Sequence, residues 1–145
     1  MSEQGVGPLK IGMTLAAARA ATGGKLSAPP AADTAECGFA QWPSGPAGLR
    51  MMTAKGRIVR VDVESGSTTT AAGARIGDTE ARINTLYPGR VDTTPSKYAS
   101  GHYLTIKSSP SAEGGNRLIF ETDGRKVTRY RAGRMPEVGY VEGCG

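Results

Sequence analysis

The residues best placed to do chemistry crowd into one stretch, Lys97-Tyr98-Ala99-Ser100-Gly101-His102-Tyr103. His102 is the only histidine of the chain. An imidazole titrates near neutrality, so His102, with Lys97 and Tyr98 beside it, could serve as a general acid or base. Arg129 and Arg131, further along, could hold a phosphate or carboxylate. Together they would make a small metal-independent hydrolase in which the arginines stabilise developing negative charge. The competing reading makes Tyr98, His102, Tyr103, Arg129 and Arg131 a binding surface, where tyrosine offers amphipathic contact area and arginine meets an acidic protein or another anionic ligand. Ser100 stands two residues from His102 on the same segment, which is not the nucleophile and base spacing of a triad, and no Gly-x-Ser-x-Gly elbow is present. That weighs against an enzyme and in favour of the binding surface.

Glu121 and Asp123 could be paired carboxylates of a glycosidase if they faced each other across a cleft. Their place around Asp123-Gly124, a hairpin signal, instead predicts solvated side chains at a turn beside Arg125. Cys37 and Cys144 lie far apart, and with one histidine they lack the ligand spacing of a metal site. No phosphate-binding loop or dinucleotide fingerprint occurs, so no cofactor is expected. An even cysteine count in a chain rich in Gly, Ser and Thr favours one disulfide over two free thiols, and with it an extracytoplasmic address, periplasmic or secreted.

Across 145 residues, 18 Lys and Arg outnumber 13 Asp and Glu, for a formal charge of +5. Much of the basic excess falls between Arg117 and Arg134. A basic stripe can attract nucleic acid, an anionic surface or an acidic partner. With five Tyr, two Phe and one Trp, and no alternation of aromatic with basic residues, a base-stacking platform is not expected. No apolar run approaches the roughly 18 residues of a membrane span, and no signal peptide begins at Met1. Met1-Ser2-Glu3-Gln4 reads as a start placed where a leader has been removed.

The elements that must position these residues come in two sets. Lys10-Ile11-Gly12-Met13-Thr14-Leu15-Ala16 matches Arg75-Ile76-Gly77-Asp78-Thr79-Glu80-Ala81, 65 residues on, and Lys55-Gly56-Arg57 matches Asp123-Gly124-Arg125, 68 residues on. Thr14 and Thr79 are N-cap residues for short helices, one over 15–22 and the other ended by Pro88-Gly89. Strand patterns follow at 37–42, 48–54 and 57–63, and again at 102–107, 117–121 and 126–131, with a further short strand at 137–142. Residues 91–100 read as a polar loop and 108–116 as a flexible connection. Alternation places Ile58 with Arg60 on one side of its strand and Val59, Val61 and Val63 on the other. It also puts Met51 and Met52 on opposite faces, one in the core and one partly exposed. Trp42 and Phe39 are assigned to the core.

The fold expected is α+β: two tandem helix-plus-β-meander repeats, 1–70 and 71–145, packed as one body. They form one curved antiparallel sheet with the short helices on one face. This order, with the phrase Ile11-Gly12-Met13-Thr14 opening the helix, resembles the beta-lactamase inhibitor protein architecture. The phrase also looks like the helix start of the small SmpA/OmlA-type outer-membrane assembly lipoproteins. The resemblance implies an exported protein that binds other proteins and has no catalytic site. The chain lacks the lipobox cysteine of the lipoproteins, so lipid anchoring does not carry over. The function expected is a small exported protein-binding or inhibitory module working through the concave face of its sheet.

Overall fold

The computed structural model describes residues 1–97, 100–107 and 115–144. The hairpin β1 (Gly5–Val6) and β2 (Leu9–Lys10) leads into α1 (Leu15–Ala21) and a 3-10 turn at Pro30–Asp33. Three strands follow: β3 (Gly38–Ala40), β4 (Leu49–Ala54) and β5 (Arg57–Val63). After α2 (Glu80–Leu86) come β6 (Val91–Pro95), β7 (His102–Ile106), β8 (Asn116–Thr122) and β9 (Val127–Arg134). β3 to β9 form one seven-stranded antiparallel sheet in the order β3-β4-β5-β9-β8-β7-β6. The fold is therefore α+β and mostly sheet. Among the described residues, no helix is long and apolar enough to cross a membrane.

Each helix is opened by the same local chemistry. Thr14 Oγ1 accepts from the Ala17 amide and Thr79 Oγ1 from the Arg82 amide, both at 3.1 Å. Gly12 and Gly77 turn with φ near 90° and 95°, where a side chain would be strained. Their amides donate to Ile58 and Val127, the amides of which donate back to Met13 and Asp78. Replacing either threonine by alanine leaves an orphan amide, so T14A and T79A should each lower unfolding stability by about 1 kcal/mol, and the double variant by about 2 kcal/mol, in urea titrations.

One face of the sheet carries both helices. Leu15 and Ala18 of α1 pack on Met51, Ile58 and Val61, and Ile83 of α2 packs on Leu104, Leu118, Phe120 and Tyr130. Phe120 lies between the rings of Tyr87 and Tyr130, with centroids 6.0 and 5.2 Å away. A separate small cluster of Met52, Ala54 and Val59 sits with Cys37 and Phe39 on the other face.

Four features depart from the sequence reading. The β4–β5 register shifts between Met52 and Thr53, leaving Val59 without a cross-strand partner. This bulge resets the alternation, so Ile58 joins Val61 beneath α1 while Val59 joins Met52. Met51 and Met52 do point to opposite faces, but both are fully buried, because the segment after β9 covers Met52. Residues 91–95 are the edge strand β6 rather than loop; an edge exposed on its outer side has no need of apolar residues, and Asp92, Thr93 and Thr94 disguise it. The expected strand at 137–142 is a 3-10 turn at Glu137–Gly139, because carbonyls of this segment bond to arginine side chains instead of a neighbouring strand.

Candidate functional site

Strand alternation separates the residues that the sequence placed side by side. His102 points to the helix face, where Nδ1 lies 2.7 Å from Oε2 of Glu80 in the first turn of α2. The same oxygen accepts from Thr122 Oγ1, and that hydroxyl in turn accepts from the amides of His102 and Gly124. Glu80 therefore ties the start of α2 to β7 and to the β8–β9 turn. Tyr103, one residue on, points to the opposite face, with its ring 5.8 Å from the Arg131 guanidinium. Tyr98 lies outside the described residues, as do residues 108–114 of the connection expected at 108–116. Lys97 is exposed and lines a cavity with residues 139–143, and its amide donates to Tyr103 Oη at 3.4 Å. The cavities lined by Arg131 and by Arg129 do not include His102.

Arg131 is buried, at 3% exposure. Its Nη1 donates to Glu121 Oε2 and its Nε to the Val138 carbonyl at 2.6 Å. Burial, and then the nearby Arg60 charge, draws its guanidinium below the ordinary arginine value, with Glu121 acting in the opposite direction. Arg129 is the accessible partner: its side chain is 47% exposed and reaches the same carboxylate from the solvent side at 3.1 Å. Glu121 is thus not a solvated turn residue, since its side chain is 12% exposed between two arginines. Asp123 does cap the turn, accepting from the amides of Arg125 and Lys126 at 2.9 Å each. Those backbone bonds hold its carboxyl below the usual range.

The charge system continues across the junction of the two halves. Asp62 on β5 faces Arg131 on β9, and Arg60 grips Asp62 through Nε and Nη2 at 2.7 to 3.1 Å. The remaining Arg60 nitrogen, Nη1, donates to the carbonyls of Glu137 and Tyr140. Arg60 and Asp62 are each 4% exposed. Sequence reasoning passed over this pair. Their i, i+2 spacing in a strand already places both side chains on one face, which is the signal that could have found them.

The chain leaves β9 through Met135 and crosses the open face to Cys144. There a disulfide joins it to Cys37, 107 positions away in sequence, with Cα atoms 5.6 Å apart. This segment covers the half of the face that carries Phe39 and Met52. Over β7, β8 and β9 it borders a groove of about 290 Å³ lined by Tyr103, Ile119, Met135 and Val141 and by Arg117 and Arg131. Met135 and Tyr140 beside it are 52% and 45% exposed, the most exposed large apolar side chains among the described residues. No group of three metal-ligating side chains converges among the described residues. The arrangement offers aromatic and aliphatic contact flanked by guanidinium groups. In comparisons with known proteins no family model matches the chain, and no curated protein or solved structure does so either.

Proposed function

We propose that the chain is a small exported protein-binding or inhibitory module, built of two tandem helix-plus-meander repeats, that receives an acidic protein partner on the open face of its second half. The observation that carries this reading is the groove lined by Tyr103, Ile119, Arg117, Arg131 and the exposed Met135, with the half-exposed Arg129 on the same face of β9 as Arg131. Aromatic residues, Met and Arg are the types enriched in the cores of protein interfaces. The disulfide agrees with export.

Matched irregularities support the repeat. Both halves open a helix through a Thr cap, and both shift register at one place, between Met52 and Thr53 and between Glu121 and Thr122. Aligned on those bulges, Arg60 corresponds to Arg129 and Asp62 to Arg131. Asp62 and Arg131 also face each other across β5 and β9, so a pseudo-two-fold axis passes between them. The same alignment sets Met52 against Glu121 and Phe39 against Tyr103. The first half thus sets apolar Phe39 and Met52 where the second half sets Tyr103 and Glu121.

The test is affinity capture from the exported fraction with the full chain, followed by titration of the captured partner. Y103A and R129A should each weaken binding about tenfold or more, as truncation of an aromatic or arginine anchor does. Unchanged affinity in both variants would remove this face as the site. The alternative, a metal-independent hydrolase, draws on the imidazole held by Glu80. Its arginines lie across the sheet from that ring, so the binding reading is preferred.

A further inference from the structure

The groove over β7, β8 and β9 sets a buried cation in a largely apolar lining. Strand pairing places Tyr103 opposite Glu121, Thr105 opposite Ile119 and Ile119 opposite Arg131, so these side chains share one face of the sheet. Met135, Gly139 and Val141 of the crossing segment complete the lining. Its volume of about 290 Å³ stands at the small end of the range for small-molecule sites, which suits one ring or a short chain. Arg131 is 3% exposed. Its Nε donates to the Val138 carbonyl and its Nη1 to Glu121, while among the described residues Nη2 has no acceptor. Glu121 is divided between Arg131 and Arg129, and Asp62 is gripped by Arg60, so three guanidinium groups share two carboxylates on this face. Arg117 adds a further positive charge to the lining.

We propose that this groove binds a small apolar carboxylate, its carboxylate taken by Arg131 and its apolar body lying against Ile119, Met135 and Val141. The inference rests on the proposed function in that the groove is the one offered to the acidic partner, and a free acid of this kind would occupy the place of the partner's own carboxylate. A guanidinium presents its N–H donors in a planar fork that matches a carboxylate. A buried donor without an acceptor costs free energy, which an incoming carboxylate returns by supplying both the acceptor and the opposite charge. Recognition therefore needs both halves of the ligand. A neutral analogue leaves the guanidinium unmatched, and a site built to bond a ligand group rejects analogues that lack it. A carboxylate without the body forfeits the apolar contact.

The probes are phenylpropionate, its alcohol phenylpropanol, and acetate, each titrated into the full chain while backbone amide shifts are followed by NMR. Phenylpropionate should saturate with a Kd of about 1 mM or tighter and shift the amides of Tyr103, Ile119 and Val141. Phenylpropanol and acetate should each bind about tenfold more weakly, or less well still. Alcohol equal to acid would make the groove simply apolar, and acetate equal to acid would make it a plain anion site; either result overturns the proposal. So does a phenylpropionate titration that leaves these three amides unmoved. R131M would strand Glu121 and the Val138 carbonyl, so a loss of binding there would not separate recognition from structure. I119E is used instead: it sets a carboxylate at the position paired with Arg131 and should weaken phenylpropionate about tenfold or more with circular dichroism unchanged. Unchanged affinity in folded I119E would overturn the site, and the comparison of probes on the unaltered chain decides the ligand class whether or not the variant folds. The titration needs no partner, so it can fail while the partner titration on Tyr103 and Arg129 succeeds, and the reverse.

Discussion

Replacing Asp62 by alanine is expected to lower the unfolding free energy by about 3–5 kcal/mol, the range found when one partner of a buried ion pair is removed. Arg60 would keep its carbonyl contacts to Glu137 and Tyr140 but lose every acceptor for Nε and Nη2, at a site that is 4% exposed. Arg131, facing Asp62 across β5 and β9, would lose an opposite charge as well. The loss should come from a stranded charge rather than from the pair's own attraction. A double variant, R60M/D62L, should therefore recover much of it, because neither charge is then buried. Urea titrations of the single and double variants measure both effects. The Lys55–Glu36 pair is the control: it spans 3.8 Å with side chains 73% and 84% exposed, and K55A should change stability by no more than about 0.5 kcal/mol. If D62A cost no more than K55A, the row of charges beneath the crossing segment would not be what anchors it.

Removing the disulfide should have an effect of similar size through the other side of the equilibrium. The bond closes a loop of 107 residues, and the chain-entropy model assigns a loop of that length about 4–5 kcal/mol, as freedom withheld from the unfolded chain. C37S/C144S is therefore expected to lower the unfolding free energy measured by urea titration by that amount, with native circular dichroism retained. A loss under about 1 kcal/mol would mean that the unfolded chain hardly feels the link.

Both effects involve residues whose types were visible in the chain and whose surroundings were not. Arg131 and Arg129 stand two apart on the same face of β9, yet one is 3% exposed and binds a backbone carbonyl while the other reaches solvent. Nothing within β9 distinguishes them. The difference is the position of Glu137–Gly139, a segment that crosses the face over one and not the other. Glu121 was assigned to solvent for the same reason: proximity to a turn says where a residue lies along the chain but not what crosses above it. His102 and Tyr103 were read as neighbours in one site, and the pleat sends them to opposite faces.

What the sequence determined by itself is local: the two Thr-capped helix starts after Ile-Gly-x-Thr, the Gly-bearing hairpin turns, most of the strands, and a pair of cysteines able to bond. Each depends on residues within a few positions, so propensity, capping and φ restrictions suffice. Tertiary structure alone decided the edge strand β6, the bulges that turn Ile58 inward and Val59 outward, the burial of Glu121 and Arg131, and the separation of His102 from the arginines. Those depend on pairing between residues tens of positions apart and on which segment closes over which face. Their energies come from burial and desolvation that no local window contains.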